Sequence, residues 1–449
     1  MSEKAKVVVV GGGPAGMTAA SRIKRIHPDW RVVVFERSRF VSYAPCGIPY
    51  FLGGYAKSIE DLVHYPLRVF TEERGIEVYV ETEVVEAGDG YVRVRFKDGS
   101  EKKYEWEKLL LATGARPRIP RVSGVNLKGV MTLRTLENAE EAHLILNRAK
   151  NVAVIGGGYI GLELADNLVR AGKNILLFEM LPHVMPTLDV EIARHVEEEL
   201  VKHGVQLRLN EPLREIVGRD NVEKIITDKG EYNVDAVFLA TGVAPETTLA
   251  DMIGLKKGVS GAISTDSHMK TSLENVYAAG DVAETLNLVT GKPDWFPLAP
   301  VANKMGYVAG ATISGLESSF PGALGTAITK VFQLEIGRTG LTEERAGKEG
   351  YSPVTATVTA NSKASYYPGG APMTVKLIAD RGSGRLLGAQ VLGSDGVLAR
   401  INTLAALIGK GASVEDAFFS DLAYAPPFAP VWDPVIVAAR VLLGKIGKG

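Results

Sequence analysis

One cysteine stands among the 449 residues, in a segment suited to holding a reactive side chain: Ser42-Tyr43-Ala44-Pro45-Cys46-Gly47-Ile48-Pro49-Tyr50. Pro45, Gly47 and Pro49 crowd the thiol into a tight turn that should open a helix, since proline fits a helix's first turn. Free N–H groups and the dipole at such a start favour thiolate over thiol. A lone cysteine forms no intrachain disulfide. Its oxidised state must be a mixed disulfide with a small thiol, a sulfenic acid or a persulfide. The alternative is an inert core cysteine, a common fate of this residue type. Against it stands the position of Cys46, shortly after a nucleotide-binding fingerprint.

That fingerprint comes first among the elements that must position the thiol. Residues 7–10 are a continuous β-branched run, the mark of a strand buried on both faces. Gly11-Gly12-Gly13-Pro14-Ala15-Gly16 follows, then a helical pattern over 17–26 and a second strand over 31–35 that ends in Glu36. This is a Rossmann dinucleotide motif in full context. Gly11 makes the tight turn, Gly13 admits a pyrophosphate, Gly16 lets helix meet strand, and Glu36 takes a ribose hydroxyl.

The block recurs, as an internal duplication. A strand over 152–155 leads to Gly156-Gly157-Gly158-Tyr159-Ile160-Gly161, a helix over 162–171, and a strand over 175–178 ending in Glu179. Two nucleotide sites are expected. After Glu179 come Met180, Leu181 and Pro182, with no arginine for a 2′-phosphate. A carboxylate there favours NADH over NADPH. Two buried strands, 109–114 and 237–242, each end in Ala-Thr-Gly and are followed by Pro117 and Pro245, marking crossovers. A further strand from Asn275 ends in Gly280-Asp281, where a carboxylate reads either as a turn residue or as a ligand for cofactor hydroxyls. A loop with Trp295 and Phe296 then leads to a helix over 302–313. From about residue 325 the pattern turns α+β: strands over 326–332, 352–359, 373–379 and 386–392, a helix over 396–409, and a proline-rich aromatic tail over 422–430.

Composition sets outer bounds. With 46% hydrophobic and 23% charged residues the chain reads as globular. A formal net charge of −1 gives no bulk attraction to nucleic acid or anionic membrane. No apolar run reaches membrane-spanning length, and the N-terminus enters a strand at once rather than a secretory signal, so a cytoplasmic location is expected. No Cys/His cluster suggests a metal.

The motif order GGGPAG, SYAPCGIPY, ATGARP, GGGYIG, ATGVAP and NVYAAGD, with the α+β end, resembles the pyridine nucleotide–disulfide oxidoreductases over almost the whole chain. The single-cysteine segment resembles their coenzyme A-disulfide reductase and NADH oxidase/peroxidase branch. Ser42-x-x-x-Cys46-Gly47-x-Pro49-Tyr50, Tyr366-Tyr367-Pro368-Gly369 and Ala423-Tyr424-Ala425-Pro426-Pro427 are similar to the coenzyme A-disulfide reductases, among them coenzyme A-dependent NAD(P)H sulfur, polysulfide and persulfide reductases.

The resemblance implies an α/β fold of two Rossmann-like (ββα-inserted) dinucleotide-binding domains and a C-terminal α+β dimerisation domain. It places FAD on a discontinuous domain, 1–118 and 245–324, NAD(P)H on 119–244, and dimerisation on 325–449. It implies FAD contacts from Gly11, Gly13, Pro14, Ala15, Gly16, Glu36, Arg37, Thr113, Gly114, Asp281, Leu298, Ala299 and Ala302. For NAD(P)H it implies Gly156, Gly158, Ile160, Gly161, Glu163, Glu179, Gly242 and Tyr159, the last covering the flavin until nicotinamide arrives. Tyr366 and Tyr424 match tyrosines that reach the partner's cysteine in a homodimer or dimer of dimers. Read alone, they leave open the alternative of core or interface aromatics. Ser42, Arg22 and Arg25 match a coenzyme A channel. Alone, Arg22, Lys24 and Arg25 are equally a solvated helix face. The implied reaction is NAD(P)H-driven reduction of coenzyme A disulfide, coenzyme A persulfide, polysulfide or sulfur through Cys46. The alternative is an NADH oxidase or peroxidase cycling through a Cys46 sulfenate. Those relatives usually carry a histidine where this chain has Pro14, which weakens the peroxide reading.

Overall fold

The computed structural model describes residues 3–447. Residues 1 and 2 of the expected FAD domain, and 448 and 449 of the expected dimerisation domain, lie outside the described residues. The first β-branched run forms the strand Glu3–Val10, in which Val7, Val8 and Val9 are fully buried. It runs parallel to Val32–Phe35 on one side and Glu101–Leu111 on the other. Glu77–Tyr79 extends the sheet beyond Val32–Phe35. Two strands, Glu83–Gly88 and Tyr91–Arg95, form an antiparallel meander on Glu101–Leu111. The chain then leaves this sheet and rejoins it only at Val276–Ala278, parallel to Leu109–Leu111.

Between those points lies a second, all-parallel sheet in the order Gln206–Arg208, Asn174–Phe178, Asn151–Ile155, Ala236–Leu239, Val130–Met131. Leu213–Val217, Lys224–Thr227 and Glu231–Asn233 make its antiparallel meander. The two proline-marked crossovers pair with each other: Ala115–Pro117 lies antiparallel to Val243–Pro245.

Helices begin earlier than the hydrophobic pattern indicated. Pro14 and Tyr159 open the two loop helices, Pro14–Ile26 and Tyr159–Arg170, because the helical turn starts inside the glycine loop. The helix expected over 302–313 starts at Ala299, with Pro300 in its first turn. It crosses Pro14–Ile26 at glycines: a Cβ on Gly306 would lie 2.3 Å from the Ala15 carbonyl oxygen.

The C-terminal region is a five-stranded antiparallel sheet in the order Ala327–Val331, Leu334–Gly340, Leu386–Gly393, Pro372–Asp380, Pro353–Asn361. Its strand Leu334–Gly340 escaped the sequence pattern because Gly337 and Gly340 interrupt the β-branched alternation. Gly337 is there for packing, since a Cβ would come within 3.1 Å of Ile401 and Val397 on the overlying helix Val397–Gly409. A final helix, Pro434–Ile446, capped by Asp433, was also not anticipated. Among the described residues, no helix is long and apolar enough to cross a membrane.

Candidate active site

The two glycine loops repeat each other atom for atom where packing is tight. Gly11 has φ +110 and Gly156 φ +111; a Cβ would lie 2.2 Å from the Ala112 oxygen and 2.4 Å from the Ala240 oxygen respectively. At Gly16 and Gly161 a Cβ would fall 1.9 Å from the carbonyl oxygens of Gly11 and Gly156. Gly13 and Gly158 differ: nothing stands within 4 Å of the position a Cβ would take. Each loop is thus closed against its own sheet and open at the helix start, where a pyrophosphate fits the free N–H groups.

The two acids are wired into these loops in the same way. Glu36 Oε2 accepts from Gly12 N at 2.6 Å and Oε1 from Ser38 N at 2.8 Å. Glu179 Oε2 accepts from Gly157 N at 2.7 Å and Oε1 from Leu181 N at 2.9 Å. Carboxylate oxygens keep further acceptor capacity for ribose hydroxyls. Burial pushes the Glu36 carboxyl up, opposed by the Ser38 and Gly12 N–H groups.

Other residues matched to FAD gather at the same end of the first sheet. The Cβ position of Gly280 lies 2.9 Å from Ala15 Cβ and 3.5 Å from Ala302 Cβ, which places Asp281 at the first loop helix. Leu298 is the N-cap and Ala299 the first residue of the helix beside it. Thr113 Oγ1 donates to the Glu246 oxygen at 2.7 Å, and Gly114 O accepts from Glu246 N. Arg37 is exposed. Asp281 Oδ2 pairs with Arg134 at 3.0 Å, a residue the sequence reading passed over because a single arginine before a helix carries no motif.

Cys46 lies in a short 3-10 turn, Pro45–Gly47, followed by the one-turn helix Ile48–Leu52. It opens on a cavity of about 530 Å³. Ser42, Arg22 and Arg25, matched by the resemblance to a coenzyme A channel, line this cavity together with Pro14. So do His64, Arg74, Asn303 and Tyr307, which no motif had marked. Ser42 takes a left-handed backbone, φ +52. Its N–H reaches Gly12 O at 3.1 Å while its carbonyl accepts from His64 N at 2.9 Å. It thus ties the first glycine loop to the cavity wall. Arg22 leaves its Nε buried without a partner and lays its guanidinium 4.5 Å from the Tyr307 ring centre.

The thiolate expected at a helix start is corrected here. Cys46 is exposed at the cavity edge, yet protein crowds it closely enough that desolvation pushes the thiol up. The negative charge of Glu163 adds to the rise, and Arg134 acts against it. A 3-10 turn and a single helical turn supply too little dipole to reverse this.

Tyr159 opens its helix with a buried hydroxyl that has no partner. Glu163, one turn on, accepts from Thr329 Oγ1 of the C-terminal sheet at 2.8 Å, and burial pushes its carboxyl up. Ile160 and Gly242, at the mouth of the second loop, are exposed. Tyr366 and Tyr424 lie outside the Cys46 cavity of their own chain. Both are exposed, and the neighbouring Tyr366 pushes the Tyr424 hydroxyl up.

Two dinucleotide loops on separate sheets and an accessible thiol beside the first define a nucleotide-dependent redox enzyme. Comparison with known proteins agrees. The family profile described as pyridine nucleotide-disulphide oxidoreductase matches residues 5–306, and that of the family's dimerisation domain matches 326–434. The chain belongs to this family. It is 53% identical to the NAD(P)H sulfur oxidoreductase (CoA-dependent) of Pyrococcus furiosus, over 98% of this chain and 99% of that protein. It is 51% identical to the NAD(P)H coenzyme A polysulfide/persulfide reductase of Pyrococcus horikoshii, over 98% of each. The solved NAD-dependent persulfide reductase from A. fulgidus superposes with a TM-score of 0.96 at 38% identity, covering 99% of this chain and 84% of that one.

Proposed function

We propose that this protein is an FAD-dependent NAD(P)H oxidoreductase that reduces coenzyme A disulfide or a coenzyme A persulfide at Cys46. The observation that carries the reading is the cavity joining that sulfur to Arg22, Arg25 and Arg74 beside the first glycine loop. Its volume, about 530 Å³, lies within the range of organic-ligand sites, about 300–1,000 Å³. A bare polysulfide needs neither that space nor three guanidinium groups, whereas the phosphates of coenzyme A suit both. The names of the Pyrococcus relatives point the same way.

The first loop, with Gly11, Gly13, Pro14, Ala15, Gly16, Glu36 and Arg37, holds FAD together with Thr113, Gly114, Asp281, Leu298, Ala299 and Ala302. The second, with Gly156, Gly158, Tyr159, Ile160, Gly161, Glu163, Glu179 and Gly242, holds NAD(P)H. These assignments divide the chain into an FAD domain of 1–118 and 245–324, an NAD(P)H domain of 119–244 and a dimerisation domain from 325. When bound, FAD supplies the relay that takes a hydride from NADH and passes on an electron pair. The chain's own part is to align thiol, acceptor and nucleotide. Cys46 thiolate attacks one sulfur of the acceptor. An S–S bond to coenzyme A forms, and the other sulfur leaves as a thiolate that takes up a proton. The electron pair from NADH then breaks the mixed disulfide, restoring Cys46 and releasing coenzyme A as a thiol. The paired hydroxyls of Tyr366 and Tyr424 approach the partner's Cys46 in a homodimer and donate the proton to the leaving sulfur. A lone free thiol suits the reducing cytoplasm.

Intact mass spectrometry of the isolated holoenzyme tests this. The expected result is an adduct of coenzyme A mass on the Cys46 peptide, removed by NADH. A bare thiol that coenzyme A disulfide fails to modify contradicts it.

A further inference from the structure

A second polar cluster lies away from the thiol, between the helix Val190–Lys202 and the C-terminal sheet. Lys376 sits in the strand Pro372–Asp380 with its side chain fully buried. Its Nζ lies 2.8 Å from Asp189, 2.5 Å from Glu191 and 2.9 Å from Glu343. The carboxylates are spaced closely enough to suggest a cation site, but the ammonium already occupies their centre.

Asp189 behaves unusually. It is the N-cap of Val190–Lys202, yet its carboxylate makes no capping bond to its own helix. A capping aspartate normally stabilises its own helix by accepting from the first turn's N–H groups. Here both oxygens face the C-terminal region. Oδ1 accepts from Glu343 N at 3.0 Å, and Oδ2 from Gln390 Nε2 at 2.7 Å as well as from Lys376. Gln390 Oε1 in turn accepts from Asp189 N at 3.0 Å. Lys376 and Gln390 stand opposite each other in the sheet.

From Asp189 a short buried path leads to the second glycine loop. Leu188 N donates to Met185 O at 2.9 Å, and Met185 N donates to Gly157 O at 2.8 Å. Met185 is buried and holds a left-handed backbone, φ +49, a conformation that persists only when its surroundings impose it. Val184 closes the same contact: a Cβ on Gly157 would lie 2.9 Å from its Cγ1.

We infer that Lys376 is a positioning residue for the pyridine nucleotide: by clamping Asp189 it holds the Val184–Asp189 segment, and through it the Gly157 turn, in the form that receives the NADH pyrophosphate. The inference rests on the assignment of the second loop to NAD(P)H made above. It makes the C-terminal domain a determinant of nucleotide affinity as well as of assembly.

The test is NADH binding to the holoenzyme by fluorescence titration, beside steady-state kinetics and thermal melting, for Lys376→Gln, Gln390→Leu, Arg385→Gln and Gly158→Val. Arg385 donates to the Val289 and Leu288 carbonyls at 3.1 and 3.0 Å, outside the Lys376 cluster, so its variant controls for general loosening. Lys376→Gln should raise the Kd and KM for NADH at least about fivefold, with kcat at saturating NADH changed less than about twofold. Arg385→Gln should lower the melting temperature and leave Kd alone. An unchanged Kd in folded Lys376→Gln overturns the inference. So does an equal Kd rise in Arg385→Gln. If Lys376→Gln does not fold, Gln390→Leu decides, a smaller rise supporting the clamp and no rise overturning it. An unchanged Kd in Gly158→Val would instead show that the loop assignment had failed.

Discussion

Arg134 stands 3.0 Å from Asp281, joining the segment ahead of helix Leu136–Leu146 to the turn after Val276–Ala278. The pair bridges the two parts of the chain that carry the nucleotide loops, and it is half-sheltered from solvent. Its cation is also the charge that draws the Cys46 thiol downward against burial and Glu163. Removing it leaves those two opposed only by weaker effects. Arg134→Met should raise the thiol's apparent pKa, and alkylation of reduced enzyme by iodoacetamide at pH 8 should slow by about three- to tenfold. An unchanged rate–pH profile would remove Arg134 from the account.

Glu163 predicts the opposite sign. Its negative charge favours the neutral thiol, so Glu163→Gln should lower the Cys46 pKa and speed alkylation at neutral pH. Because burial pushes the Glu163 carboxyl itself up, the difference between variant and parent should shrink toward acid pH, where the parent's carboxyl is protonated. A variant that alkylates more slowly than the parent at pH 7 would contradict the assignment.

The glycine loops separate folding from binding. A Cβ at Gly16 would strike the Gly11 oxygen at 1.9 Å, so Gly16→Ala should destabilise the protein by about 1–3 kcal/mol. Gly13 has open space around it, and Gly13→Ala should keep the melting temperature of the flavin-free protein while lowering flavin content. Thermal melts and the flavin-to-protein absorbance ratio measure the two effects.

Glu179 is buried and held by Gly157 and Leu181; on the proposed assignment of the second loop it accepts from a ribose 2′-hydroxyl and repels a 2′-phosphate. The ratio of kcat/KM for NADH to that for NADPH should exceed about five and fall in Glu179→Ala. A parent enzyme several-fold better with NADPH would show that this carboxylate does not select the nucleotide.

Much of the architecture was legible in the chain because its signals are local. The glycine loops, the acids after the following strands and the proline-marked crossovers each occupy a few consecutive residues, and the structure sets them at strand ends as read. The structure puts Arg22, Arg25 and Ser42 on the cavity wall; all three were singled out by the family resemblance, since alone the arginines read equally as a solvated helix face. His64, Arg74, Asn303 and Tyr307 were not, since they reach the cavity from segments with no motif of their own. Arg134 and Lys376 were missed for the same reason: each acts through partners far away in the chain. The state of the thiol was misread because a helix start is visible in sequence, whereas crowding and the approach of Glu163 are tertiary facts.

On the proposed mechanism Cys46 is the sulfur that trades electrons. The most direct test of this is NADH-dependent reduction of coenzyme A disulfide by the Cys46→Ser holoenzyme, with flavin content verified by absorbance. The predicted result is full flavin loading with turnover reduced by at least about 10³-fold. Turnover equal to the parent's would contradict it.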